Sequence, residues 1–155
     1  MTILLRNATE NDSRFLFDLR NETAVRRVSG NPDPISFETH SAWFERKLKD
    51  GGSMMFIVEE EGVPIAQTRF DTEGKHATIS IAVVEKLRGK GYGSRIIRSA
   101  TETFLSARPD IAEVRALINQ GNEASLRSFA KAGFTEKGTK EEGGLVRHLF
   151  MFERK

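Results

Sequence analysis

The chain has 155 residues, 38% of them hydrophobic, enough for one globular domain that buries roughly two-thirds of the surface its unfolded form exposes. It has no cysteine and only three histidines, which excludes disulfides, thiolate metal sites and a cysteine nucleophile and leaves little material for zinc, so no metal is expected. A net charge of +2 with a pI near 9.0 does not by itself call for nucleic acid. The start, Met1-Thr2-Ile3-Leu4-Leu5-Arg6, turns polar at once; it lacks the apolar run of a signal peptide or of a membrane span of about 20 residues, and a soluble cytoplasmic protein is expected.

In chain order, Ile3 to Asn7 reads as a short strand and Asn11 to Arg20 as a helix entered through Thr9, Asn11 and Asp12. Ser29 to Pro34 reads as a loop. Ser36 starts a second helix in which His40, Trp43, Phe44 and Lys47 recur at helical spacing until Gly51-Gly52 ends it. Met54 to Glu60 and Val63 to Asp71 flank a turn at Glu61-Gly62. Lys75 to Val84 alternates Ala77, Ile79, Ile81 and Val83 with polar positions, and the three together predict an antiparallel meander. Gly91 to Ala107 is helical by Ile97, Ala100 and Phe104, Glu113 to Ile118 is a strand, and Asn122 to Ala132 is a helix. Phe134 to Thr139 and Leu145 to Glu153 close the chain as a hairpin around Gly143-Gly144. The predicted order, β-α-α-β-β-β-α-β-α-β-β, gives one domain over residues 1–155, an α/β (α+β) fold with a mixed sheet whose strand-to-helix junctions are natural ligand sites.

The most informative junction is the strand ending at Val84, which runs through Glu85-Lys86-Leu87 into Arg88-Gly89-Lys90-Gly91-Tyr92-Gly93 and a helix. Three glycines let backbone N–H groups approach an anion, and the helix N-terminus adds partial positive charge. Lys86, Arg88, Lys90, Arg95 and Arg98 cluster around it, which suits a ligand with several phosphates. The P-loop pattern fails because Gly89-Lys90-Gly91 lacks the following Ser or Thr. The dinucleotide fingerprint fails because Arg88 stands at its first glycine and hairpin strands precede it.

Arg-x-x-Gly-x-Gly between a strand and a helix resembles the acetyl-CoA signature of GNAT acetyltransferases. Asn119 to Phe134, with Asn122, Ser125, Phe129 and Gly133-Phe134, resembles that family's later motif. The resemblance covers the whole element order and implies a mostly antiparallel GNAT sheet flanked by helices and an acetyl-CoA-dependent N-acetyltransferase. It further implies that the amides from Arg88 through Gly89, Lys90, Gly91, Tyr92 and Gly93 to Ser94 bind the pyrophosphate. The pantetheine arm then lies along Ile81, Ala82, Val83 and Val84 like an added strand, with a strand N–H near the reacting carbonyl. Asn122, Ser125, Phe129, Arg127 and Lys131 are candidates for further cofactor contacts. Phe129 also fits a core stripe with Leu126 and Ala130, Asn122 a helix cap, and the Arg127–Lys131 pair a solvated face.

Direct transfer to an amine needs a neutral nitrogen and a protonated leaving thiol. The family often has a tyrosine acid where this chain has Phe129, so Ser125 is the expected thiolate partner. The region Ala77-Thr78-Ile79-Ser80 has no carboxylate where some members carry a glutamate base. Asp71, on one strand face with Gln67 and Arg69, is the expected base. His148 and His40 are expected in the core and His76 in a turn.

Leu19 to Glu22, Val25 to Ser29, Pro34 to Phe44 and Arg69-Phe70-Asp71 resemble acetyltransferases acting on nucleotide-linked amino sugars. This implies Arg20, Arg26, Arg27 and Arg69 on the phosphates and Trp43 or Phe44 on the base. The helix at Asn122 also resembles ribosomal-protein N-terminal acetyltransferases; an acidic acceptor groove favours that acceptor, an arginine-rich one the sugar. An acyl-CoA-binding module without chemistry is the third alternative. The expected partner is a small-molecule amine such as a sugar nucleotide, with no nucleic acid or membrane, and a monomer or homodimer is expected.

Overall fold

A computed structural model describes residues 2–22 and 35–154. Its elements are β1 (Ile3–Asn7), α1 (Ser13–Arg20), α2 (Phe37–Lys49), β2 (Ser53–Glu60), β3 (Val63–Glu73), β4 (His76–Val83), α3 (Tyr92–Ala107), β5 (Glu113–Asn119), α4 (Glu123–Lys131), β6 (Thr135–Glu142) and β7 (Leu145–Glu153). The element order is the one predicted, with boundaries moved by one to three residues. The predicted loop Ser29 to Pro34 and the candidates Arg26 and Arg27 lie outside the described residues.

Local chemistry sets the helix starts. The Thr9 N–H donates to Asp12 Oδ2 at 2.8 Å, while Arg6 grips both Asp12 oxygens at 2.8 Å each. Ser36 Oγ accepts the Thr39 N–H at 3.1 Å and caps α2.

The strands form one seven-stranded sheet in the order β1-β2-β3-β4-β5-β7-β6, antiparallel except between β4 and β5. Strand β2 is buried on both faces. Met55 and Ile57 meet Leu16 of α1 and Phe44 of α2, while Phe56 and Val58 face the α3 side, where Ile96, Ile97 and Phe104 cover them. Phe104 stacks on Phe70 with centroids 4.3 Å apart and rings 4° from parallel; truncating either to alanine costs about 3–5 kcal/mol. Strand β6 closes the sheet with every residue exposed and a register shift between Glu136 and Gly138.

The feature that positions the site is the short β4–β5 ladder. These strands pair only at His76–Glu113, Ala77–Val114 and Thr78–Arg115 and then part. Two expectations for histidines change here. His148 is half-buried, with Nδ1 2.9 Å from Glu136 Oε2, rather than in the core, because its neighbour in the sheet is the exposed edge strand β6. His76 is the first residue of β4, not a turn residue.

Candidate active site

The parting of β4 and β5 opens a cleft of about 470 Å³, lined by Thr78–Ala82 of β4, Ala116–Asn119 of β5, and side chains from α1, α2, β3, α4 and β7. Beyond Thr78, β4 keeps β3 on one side and has no ladder with β5 on the other. An extended ligand can therefore use the open edge as a strand would. Ile81 and Ala82 line the cleft, and Val83 and Val84 continue it toward the glycine turn.

That turn follows a 3-10 turn at Glu85–Leu87. Gly89 and Gly91 have φ of 73° and 85°, a left-handed backbone that a side chain resists. Gly91 is the residue before α3, so the N–H groups of Gly91, Tyr92, Gly93 and Ser94 have no acceptor within the helix and suit an anion. Two side chains here serve the fold instead. Arg88 Nε donates to the Val83 carbonyl at 3.0 Å. Tyr92 is buried beside Val58, Ile65 and Ile96, and its hydroxyl donates to Glu60 at 2.8 Å. A Cβ on Gly93 would stand 2.9 Å from Ser128 Oγ, so the missing side chain at this glycine also lets α4 pack close. Lys90 is exposed. Ser94 and Lys131 meet at a shallow groove between α3 and α4, together with Arg95 and Arg98, separate from the main cleft.

On the α4 side, Asn122 caps its helix, its Oδ1 accepting the Ser125 N–H at 3.4 Å. Asn122 and Ser125 both line the cleft. Phe129 fills both expected roles: it is 3% exposed in the core, edge-on to Phe134 at 5.1 Å, and forms part of the cleft wall. Arg127 is exposed.

The opposite wall is cationic. Arg20 and Arg69 place their guanidinium carbons 4.6 and 5.2 Å from the Trp43 ring centroid, and all three residues line the cleft with Gln67. Arg20 Nη1 is buried without a hydrogen-bond partner among the described residues; burial, then the charge of Arg69, holds Arg20 below its ordinary pKa. His40 is 1% exposed, stacked on Phe44 at 5.9 Å, with neither ring nitrogen in a well-formed hydrogen bond. Burial and Arg20 push its pKa down, against a smaller opposing effect of the Ser13 backbone. His40 therefore sits in the core, as expected, but at the cleft wall.

Asp71 is placed differently from the sequence expectation. Its carboxylate accepts from Arg69 Nε at 2.8 Å, Lys47 Nζ at 3.1 Å and Ser53 Oγ at 3.0 Å, and it is not among the residues lining the cleft. Burial pushes its pKa up, but Arg69, Lys47 and Ser53 together hold it below the usual carboxylate range. A carboxylate so held is a poor proton acceptor, and its evident work is to orient Arg69. Sequence reasoning missed Asn119 and Arg147, which complete the β5–β7 wall; Arg147 Nε is also buried without a partner among the described residues. Their paired register, Asn119 opposite Arg147, depends on a strand pairing that no local pattern announces.

An open strand edge leading to a left-handed glycine turn at a helix start is the arrangement the acetyl-CoA signature implied, and residues 2–135 match the family model Acetyltransferase (GNAT) domain. The chain belongs to the GNAT acetyltransferase family. It is an N-acetyltransferase whose donor is acetyl-CoA. The Bacillus subtilis (strain 168) protein named "Putative phosphinothricin acetyltransferase YwnH" is 30% identical over 142 residues, covering 86% of this chain and 85% of that one. Two solved structures share the fold. One is aminoglycoside acetyltransferase AAC(6')-Ib with coenzyme A, with a TM-score of 0.85 and 19% identity over 99% of this chain and 95% of that one. The other is spermidine N-acetyltransferase from Vibrio cholerae with CoA and spermine, with a TM-score of 0.85 and 17% identity over 97% and 95% of the two chains.

Proposed function

We propose that this acetyltransferase acts by direct attack of a primary amine on acetyl-CoA in a ternary complex, and that the acceptor is an anionic amine, a nucleotide-linked amino sugar. The carrying observation is the pair of guanidiniums, Arg20 and Arg69, set against Trp43 in the cleft. Two cations beside an aromatic ring suit a phosphate-bearing ligand with a stacking base, and they repel the polycations that aminoglycosides and polyamines are at neutral pH.

The donor fits the other wall: the amides from Arg88 to Ser94 hold the pyrophosphate, and the arm pairs with the open edge of Ile81 to Val84, where a strand N–H polarises the thioester carbonyl. Acetyl-CoA supplies the activated acyl group; the chain's own residues do the positioning and manage the protons. Among the described residues that line the cleft there is no Asp or Glu, whereas Arg20, Arg69 and Arg147 all do so. That positive surround favours the neutral form of the bound amine, so the proton leaves to solvent without a carboxylate base. Ser125, on the cleft wall, is the hydroxyl that hydrogen-bonds the leaving thiolate while solvent supplies the proton that makes it the free thiol.

The relative named for phosphinothricin supports a second acceptor, a small anionic amino acid, which the same arginines would hold. Thiol release from acetyl-CoA against UDP-amino sugars, phosphinothricin, aminoglycosides, polyamines and peptide N-termini separates the two. Turnover of the sugar nucleotides is the expected result. Preferential turnover of phosphinothricin transfers the assignment to the amino acid, and preferential turnover of a polycation or peptide overturns the anionic acceptor. A melting temperature raised by acetyl-CoA with no acceptor consumed would place the acceptor outside these classes and overturn the sugar-nucleotide assignment.

A further inference from the structure

The three residues that end α1 and follow it point in three directions. Arg20 lines the acceptor wall. Asn21 grips the backbone of Ile35, with its Oδ1 accepting the Ile35 N–H at 3.0 Å and its Nδ2 donating to the Ile35 carbonyl at 3.3 Å. Glu22 reaches the donor side: its Oε2 accepts the Glu85 N–H at 3.1 Å and lies 3.5 Å from Arg88 Nη2. Glu85 opens the 3-10 turn that leads into the glycine turn, so its N–H is one of the donors such a turn leaves unsatisfied. Arg88, held by Glu22 on one side and by the Val83 carbonyl on the other, clamps the end of β4 to the start of that turn.

We propose that Glu22 is a positioning residue for the donor site, fixing Glu85 to Arg88 so that the following glycine turn presents its amides to the pyrophosphate of acetyl-CoA. The inference rests on the donor placement given above. Arg88 is then committed to shaping the turn rather than to pairing with phosphate. Because Glu22 lies two residues beyond Arg20, the same stretch of chain braces both subsites, and a displacement of α1 disturbs donor and acceptor together.

Among the described residues, the charged groups facing Glu22 are Arg88 and Glu85. Burial raises its pKa above the usual carboxylate value, Arg88 and the Glu85 N–H pull it down, and the Glu85 carboxylate pushes it up; the net shift is upward. The ionised form that pairs with Arg88 is lost as pH falls through this raised value, earlier than for an ordinary glutamate.

The test is calorimetric titration of acetyl-CoA into the full chain, comparing wild type, Glu22→Gln, Arg88→Gln, the double variant and Gly91→Val. Glu22→Gln is expected to raise Kd about fivefold, the scale of a partly exposed ion pair, with the melting temperature unchanged. The double variant should bind no worse than Arg88→Gln alone, as coupled residues do. The gap between wild type and Glu22→Gln should close as pH is lowered, which loss of mere packing would not produce. Unchanged or tighter binding by Glu22→Gln, or a gap independent of pH, overturns the role of Glu22. Gly91→Val separates the two levels: if it also binds normally, the donor placement itself fails, whereas if it alone loses binding, only the Glu22 inference fails.

Discussion

On the proposed donor side of the cleft, between β4 and the start of α3, the groups offered to a ligand are main-chain amides, and the nearby side chains of Arg88 and Tyr92 are occupied in holding the turn. On the proposed acceptor side, the groups on offer are side-chain tips, Arg20, Trp43 and Arg69, oriented by neighbours such as Asp71. Main-chain recognition is set by glycine spacing and strand pairing, so it reads one ligand class and tolerates little change in backbone. Side-chain recognition reads charge and shape and can be altered one residue at a time. Substitutions should therefore divide cleanly between acetyl-CoA affinity and acceptor turnover.

Gly91→Val forces a β-branched residue into a φ of 85°; with strain of about 1–3 kcal/mol, acetyl-CoA affinity measured by calorimetry should fall by up to about a hundredfold. Arg20→Met should lower kcat/KM for the acceptor about thirtyfold, the scale of a lost charge-assisted hydrogen bond at about 2 kcal/mol. It should leave acetyl-CoA affinity unchanged. The same change should raise the melting temperature, because a buried cation already penalised by burial and by Arg69 is replaced by an apolar side chain of similar length. A drop in both affinities would break the division between the walls.

Asp71→Asn should raise the acceptor KM about fivefold by loosening Arg69, with kcat nearly constant. A general base would instead cost about a hundredfold or more in kcat. The pH dependence has a definite sign: a carboxyl held below its ordinary range keeps its ion pair at all pH values above that range and loses it only as pH falls through the depressed value. Asp71 therefore gives no limb to the rate profile near neutrality. The smallest effect belongs to Ser125→Ala, a loss in kcat of about threefold, the scale of one hydrogen bond at about 0.6 kcal/mol, read in single-turnover kinetics with both KM values unchanged.

The same division governs how much was legible beforehand. Alternation in Ala77, Ile79, Ile81 and Val83, the helix starts at Asp12 and Ser36, and the glycines around Arg88 are local signals, and they carried the element order and the position of the glycine turn. Asp71 shares a strand face with Arg69, as period two requires, but that its carboxylate turns back onto Arg69 and Lys47 follows from α2 lying over the end of β3. Gly93 was expected in the anion turn; that its missing side chain also admits Ser128 of α4 is a packing reason no local pattern announces. His40 carried the correct signal for the core; that the core there borders the cleft depends on where β4 leaves β5. Arg147 sits among apolar neighbours in β7, with nothing in its surroundings to mark a cleft wall.

Strand β6, the exposed last strand of the sheet, bears on how the protein behaves at high concentration. An open strand edge is a template for a second chain, and this one is defended by Glu136, Lys137, Lys140, Glu141 and Glu142 together with a break in register at Glu136–Gly138. Charge and a local kink both discourage edge-to-edge growth. A pocket redesign that leaves β6 alone should stay free of aggregates, whereas one that extends into β6 and replaces these charges with β-branched residues would seed fibrous association before any loss of catalysis was measured.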